Sequence, residues 1–428
     1  MISSSIMDDN DIDNDANRKK GLNSISFHLP DRLFSSSSKS STILLKCVDC
    51  HTAGEPARVV LSGVPDFPYH CTSALLKRSY MMQHMDYLRK VLLLEPRGYP
   101  CQNANYVFRT TTTNNNDDDD GGGNGDNNNE NHSNILQYVI AEQNQIYPLM
   151  SGHNTIAVAT TLLECGIIPM EEPITKFTLE APAGLINIVA KCHEGKAKSI
   201  TLTNTPSFVE YLDLEVHVPK GGIGKVKVDV AYGGMWYAIV DLKQFTNHPT
   251  LNHLRLKEEH AFNLCRIGEM IKVSCREQYP VQHPIEDYPG VDILAFRDTT
   301  TNEEEEDDND HYYYSRNTVV MSNNKLDWEK PETWTGMLDR SPCGTGTCAI
   351  MAVLHARGEL VMGERFVHES IVGTKFIGTI LEETTIGKKN KIAIIPQIEG
   401  SAYITQYSEV VVDDEDPFPE GYRVADIW

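Results

Sequence analysis

Short apolar runs separated by polar turns dominate the chain, and this pattern predicts a strand-rich fold with few helices. The run TILLKCVD, from Thr42, reads as a first strand that enters a turn at Ala53-Gly54-Glu55-Pro56. YVFRT and ILQYVIAE are two further strand-like runs, separated by TTTNNNDDDDGGGNGDNNNENHSN within residues 111–134. The pattern predicts a hairpin whose loop carries a polar insertion, which is tolerable because closure entropy grows slowly with loop length. VDILAFRD and NTVVMS flank TTTNEEEEDDNDH, near residues 299–311, in the same way. Residues 1–41, rich in Ser, Asn and Asp, are expected to be disordered.

Two segments read as helices and align with each other. Ser151 to Gly166 is SGHNTIAVATTLLECG, and Cys343 to Gly358 is CGTGTCAIMAVLHARG. Without gaps they share Gly152/Gly344, Thr155/Thr347, Ala157/Ala349, Leu162/Leu354 and Gly166/Gly358. Each opens with a small nucleophile-type residue, then Gly, then a Thr-containing turn, and ends at Gly. A half-length repeat of this kind fits a duplicated, two-part enzyme with its cleft between the halves.

Length adds a second argument for two globular units, since 428 residues exceed one ordinary core. The expected division is a first half over 42–210, a second half over 211–390, and a C-terminal segment, 391–428, returning to the first half. Net charge is −22, but the tracts at 111–134 and 303–310 carry six and seven negative charges, thirteen in all. The remainder is only mildly acidic, so no nucleic-acid or membrane partner is expected. No apolar run approaches the roughly 20 residues of a membrane span, and the acidic amino terminus does not read as a secretory signal. A cytoplasmic location is the expectation. Ten cysteines without dense spacing predict free thiols in a reducing compartment. Cys47-Val-Asp-Cys50 has CxxC spacing but lies in an apolar run, so a strand is favoured over a redox or metal role.

The paired helix starts carry the candidate chemistry. Free backbone N–H groups and the positive end of a helix dipole make an anion site, and glycine allows close approach. Two such starts facing each other could hold one carboxylate, with residues 151 and 343 flanking its α-carbon. Abstraction of an α-proton creates an enolate-like carbon that aimed N–H donors stabilise. Cys343 suits the base, because a Cys at a helix start is expected to have a lowered pKa. Ser151 is too weakly acidic to act as a resting base without an activating partner. One competent base favours an elimination over a racemisation, which needs a base on each face. Blander readings stand beside these: Cys343 as an ordinary buried cysteine, His153 as a cap of its own helix, Asp339 as a turn initiator, and Cys348 as packing.

CHTAGEPARVV, LLLEPRGYP, MSGHNTIA, APAGLINI, YGGMWYAIVD, DRSPCGTGTCA, FVHESIVGTKFIGTI and IEGSAYIT together resemble the proline racemase family, in order from about residue 42 to the end. The family includes proline racemases, 4-hydroxyproline 2-epimerases and trans-3-hydroxy-L-proline dehydratases. The resemblance implies a mixed α/β (α+β) fold of two pseudo-symmetric halves, similar to diaminopimelate epimerase, with the active site in the cleft between them. It also implies a homodimer that acts on a small imino acid and needs neither pyridoxal phosphate nor metal. The family's catalytic positions carry over to Ser151 and Cys343, and its substrate contacts to Gly152, His153, Asp339, Gly344 and Thr345. The substrate carboxylate would lie on the helix-start amides, with His153 and Asp339 near the ring nitrogen.

Racemases and epimerases of the family carry Cys at both catalytic positions, whereas one Cys paired with Ser or Thr resembles the dehydratase branch. Met235-Trp236 stands where many relatives have Asn-Phe, and Gln406 where a Gly is frequent. The reading is therefore a hydro-lyase: Cys343 takes the α-proton of trans-3-hydroxy-L-proline and the 3-hydroxyl leaves, giving Δ1-pyrroline-2-carboxylate. The alternative is a 4-hydroxyproline 2-epimerase or proline racemase in which a neighbour helps Ser151 to act as second base. A thiol hydrolase built on Cys343, His153 and Asp339, and a non-catalytic imino-acid binder, are the remaining readings.

Overall fold

The computed structural model describes residues 43–110, 135–298, 312–322, 325–413 and 415–424. The expected disorder of residues 1–41 and both acidic insertions lie outside them. The runs flanking those insertions do pair as antiparallel strands, with Arg109 opposite Leu136 and Asp298 opposite Arg316.

Among the described residues, seventeen strands form two ladders with the same pairing pattern. In the first half, β1 (Ile43–Thr52) runs antiparallel to β2 (Glu55–Ser62), which is parallel to β3 (Asn103–Arg109). β4 (Leu136–Ala141) is antiparallel to β3 and parallel to β5 (Ile174–Ala181); β6 (Gly184–His193) and β7 (Lys196–Thr203) follow antiparallel. The second half repeats this order. β9 (Gly224–Tyr232) pairs antiparallel with β10 (Trp236–Asp241), which is parallel to β11 (Ile293–Asp298). β12 (Tyr312–Ser322) is antiparallel to β11 and parallel to β14 (Arg365–Glu369), then β15 (Lys375–Ile386) and β16 (Lys391–Gly400) follow antiparallel. The short β13 (Gly336–Leu338) adds to β12 only in this half.

Each ladder gains one more strand beside its first. β8 (Phe208–Val218) pairs with β9, and β17 (Ala402–Val412) pairs with β1. The halves join edge to edge through β7 and β16. The chain thus crosses back to the first half between Gly400 and Ala402, so 391–400 extends the second ladder and 402–412 the first.

Helices occupy matching places. α1 (Ala74–His84) and α2 (Asp86–Leu93) connect β2 to β3, where α4 (Ala261–Gln278) connects β10 to β11. α3 (Gly152–Glu164) follows β4, and α5 (Gly344–Ala356) follows β12 and β13. Nearly every side chain of α3 and α5 is buried, as expected of helices that are apolar all round. α3 belongs to the core that includes Ile140, Leu179 and Ile200, and α5 mainly to one that includes Ile239, Val319 and Phe366. No described helix is long and apolar enough to cross a membrane. Cys47 and Cys50 both lie on β1 but enter different cores, so the CxxC spacing makes no thiol pair.

Candidate active site

The repeat between α3 and α5 has a physical reason at three of its matched positions. At Gly152 and Gly344 the two helix starts touch. A Cβ on Gly152 would lie 2.7 Å from the Gly344 Cα, and one on Gly344 would lie 2.5 Å from the Gly152 Cα. Thr155 donates its hydroxyl to the Ser151 carbonyl at 2.7 Å, and Thr347 donates to the Cys343 carbonyl at 2.8 Å. Gly166 and Gly358 end the helices with φ of 69° and 72°, the left-handed cap that glycine adopts without penalty. Residues 151 and 343 are therefore the N-caps of two abutting helices.

The Ser151 side chain makes no hydrogen bond to a backbone N–H of its own helix. A serine in that position ordinarily accepts from a first-turn amide. Here Ser151 Oγ meets the side chains of His153 and Asn154 instead, so the first N–H groups of α3 stay open to an anion.

Cys343 has φ 62° and ψ 111°, a left-handed backbone that costs an L-residue on the order of 1–3 kcal/mol. The preceding loop imposes it. Asp339 Oδ1 accepts from the Ser341 N–H and hydroxyl at 2.7 and 2.8 Å, and Ser341 Oγ accepts from the Cys343 N–H at 3.0 Å. The Arg340 N–H donates to Glu55 Oε2 at 2.7 Å, tying this second-half loop to the β1–β2 turn of the first half. The sulfur lies 3.2 Å from the Tyr237 hydroxyl, which is 2.6 Å from Thr345 Oγ1.

The expectation of a lowered Cys343 pKa is corrected. Burial pushes its pKa well above the ordinary thiol value, and the charge of Asp339 adds to this. Hydrogen bonds from Tyr237, the Gly346 amide and Thr345 oppose the rise without reversing it. Desolvation of the anion outweighs the helix start.

On the other side, Ser151 Oγ is 3.2 Å from His153 Nδ1 and accepts from Asn154 Nδ2 at 3.0 Å. Asn154 Oδ1 in turn accepts from Asn105 at 2.8 Å, which fixes the Asn154 amide. Which of Ser151 Oγ and His153 Nδ1 donates to the other depends on the imidazole tautomer. Asn103 Nδ2 is 3.0 Å from His153 Nε2, and the Thr52 hydroxyl donates to the His153 carbonyl at 2.8 Å. Burial lowers the His153 pKa, opposed by Asp339, so the imidazole is neutral near pH 7. Ser151 thus stands in contact with a titratable side chain, which the sequence argument did not include.

Ser151, His153, Asp339, Cys343 and Thr345 line one cavity of about 590 Å³; Gly152 and Gly344 form the contact behind it. Glu142, Met235, Tyr237 and Asp292 complete the part of the wall that bears on the chemistry. Burial pushes the Glu142 carboxyl up to about 8, helped by Asp339 and Asp292, and Asp292 up to about 6. Trp236 is buried and donates its backbone N–H to Asp292 at 2.8 Å, while Gln406 is exposed on β17, away from the cavity. Asp339 does build a turn, and it also faces the cavity. Tyr237, Asn103, Glu142 and Asp292 were not singled out from the sequence. Tyr237 lies inside the quoted YGGMWYAIVD segment, which offered a signal; Asn103 and Glu142 arrive through strand pairing and offered none.

Comparison with known proteins places the chain in a family. A family model described as proline racemase matches residues 47–117 and 129–423. The chain is 34% identical to a proline racemase of Clostridioides difficile, over 88% of its length and 97% of the relative's. It is also 34% identical to a 4-hydroxyproline 2-epimerase of Rhizobium etli, over 90% and 96%. Among solved structures, a hydroxyproline epimerase from Agrobacterium vitis with bound trans-4-hydroxy-L-proline matches with a TM-score of 0.71 and 30% identity, covering 90% of this chain and 97% of that one.

These relatives overturn the hydro-lyase expectation, since they are named as a racemase and epimerases. The physical error lay in treating Ser151 as isolated. Its hydroxyl lies against a neutral imidazole two residues along the helix start, a contact that an argument from hydroxyl acidity alone does not contain.

Proposed function

Because the chain belongs to the proline racemase family, we propose that it inverts the α-carbon of a small imino acid, proline or 4-hydroxyproline, using side chains alone. Cys343 serves one face of that carbon, and Ser151 backed by His153 serves the other. The observation that carries this reading is the Ser151–His153 contact of 3.2 Å across the abutting helix starts from Cys343. The substrate carboxylate takes the open helix-start amides, and the acidic wall of Asp339 and Asp292 receives the ring ammonium.

One proton is exchanged between the two faces. With Cys343 as thiol and His153 as neutral imidazole, Ser151 takes the α-proton while its own proton passes to Nδ1. Cys343 then delivers its proton to the opposite face, leaving thiolate and imidazolium. The other enantiomer starts from that second form and restores the first. Both forms carry the same net charge, so the cavity gains no charge in either direction. This route uses the Nε2–H tautomer of His153: the Asn103 amide, whose Nδ2 stands 3.0 Å from Nε2, turns over to present its oxygen, leaving Nδ1 to accept from Ser151.

The test is proton NMR in D2O with L-proline and with trans-4-hydroxy-L-proline. Deuterium entering at the α-carbon with inversion is the expected result. Ser151→Ala and His153→Gln are each expected to lose inversion by roughly 10²–10⁴-fold, while Cys343→Ser loses it on the other face. Turnover with retained configuration in every substrate, or full activity in His153→Gln, would overturn the reading.

A further inference from the structure

A residue that works as acid in one direction and base in the other needs a hydrogen-bond partner that suits both of its protonation states. Around Cys343 the described side chains offer one such arrangement. The Tyr237 hydroxyl lies between Cys343 Sγ at 3.2 Å and Thr345 Oγ1 at 2.6 Å, while Thr345 Oγ1 is 3.9 Å from the sulfur. Tyr237 is fully buried on β10, and Thr345 is 3% exposed in the first turn of α5. Both line the cavity that holds Cys343.

We propose that Tyr237 is a positioning residue for Cys343, and that the chain Thr345–Tyr237–Cys343 reverses its direction as the sulfur gains or loses its proton. The inference rests on the reading of Cys343 as a proton carrier. In the thiol form, S–H donates to the Tyr237 oxygen and the Tyr237 O–H donates to Thr345 Oγ1. In the thiolate form, the Thr345 O–H donates to the Tyr237 oxygen and the Tyr237 O–H donates to sulfur. A phenol and a threonine hydroxyl each donate one proton and accept another, so neither form leaves a buried polar atom of the chain unpaired. No proton is transferred within the chain; two hydroxyls rotate.

The sign of the effect follows from charge. A hydrogen bond to an anion is stronger than one to a neutral thiol, and a chain of donors strengthens it further. Burial opposes the thiolate, and Tyr237 lowers that opposition. Tyr237 itself is held as the neutral phenol, its pKa pushed well up by burial and by Cys343. It acts as donor and acceptor, never as base.

The experiment reads Cys343 without substrate. Carboxamidomethylation of Cys343 by iodoacetamide is followed against pH, site by site, by mass spectrometry on the full chain. Tyr237→Phe is expected to move the Cys343 titration upward by roughly one to two pH units. Thr345→Val moves it upward by less, and Thr345→Ser leaves it in place. A Tyr237→Phe titration indistinguishable from that of the natural protein, or indistinguishable Val and Ser variants, would overturn the proposal. Should Tyr237→Phe fail to fold, the Val and Ser pair at 345 decides. Because no substrate is present, failure of the isomerase reading would appear in the D2O experiment and leave this titration intact.

Discussion

At the scale of single residues, the cavity shows how burial redistributes protons among ordinary side chains. Cys343 keeps its proton and His153 lacks one, both because the charged form would be desolvated. That pair is the form in which the proposed reaction begins on the Ser151 face. Glu142 follows the same logic, with its carboxyl pushed from 4.5 up to about 8. Between those values the unfolded chain gives up the Glu142 proton while the folded chain holds it. The folded state then binds more protons, so stability falls as pH rises through this window. Glu142→Gln removes the effect. Its melting advantage over the natural protein is expected to grow by up to about 1.4 kcal/mol per pH unit between about pH 5 and pH 8. Thermal melts of both proteins across that range check this, and a pH-independent difference would mean that Glu142 ionises freely in the fold.

At the scale of elements, the site depends on two helices meeting at their first residues. Only glycine fits at 152 and 344, because a Cβ on either would run into the other's backbone. Gly152→Ala must push α3 and α5 apart. The expected cost is about 1–3 kcal/mol of stability, with a fall in kcat/KM on the order of 100-fold from misplacing residues 151 and 343. Gly166→Ala is the matched control. A Cβ there meets nothing within 4 Å, but φ is 69°, so about 1 kcal/mol of stability is lost and activity is retained. Equal activity losses in both variants, measured as racemisation rate against melting temperature, would remove the special role of the helix contact.

At the scale of the whole molecule, the two ladders are coupled by strands distant in sequence. β17 supplies one edge of β1 along its full length, from Ile43 opposite Val412 to Thr52 opposite Ala402. It also brings Ala402, Val410 and Val412 into first-half cores. Truncation after Gly400 leaves β1 with β2 as its one neighbour and uncovers those cores. Hydrogen exchange is expected to rise across 44–62 while β9 and β10 stay protected. Uniform loss of protection in both halves would mean that the ladders fold as one cooperative unit.

Local chemistry made the helix starts legible. SGHNT and CGTGT carry the N-cap residue, the close-approach glycine and the threonine that bonds back to the N-cap carbonyl, all within five positions. A short-range motif of that kind can be read without knowing what surrounds it, and so could its duplication. Pairing partners could not be read. Asn103 reaches His153 because β3 lies beside β2, and Tyr237 reaches Cys343 from β10, 106 residues away.

The sequence by itself therefore determined which residues stand at the two helix starts and that the chain is built from two similar halves. The tertiary structure alone decided what those residues can do. Whether Cys343 rests as thiol or thiolate depends on how completely the fold strips water from it. Whether Ser151 has a partner depends on where one imidazole turns. Both are set by desolvation and by contacts of a few ångströms between side chains, quantities fixed only when distant segments pack together.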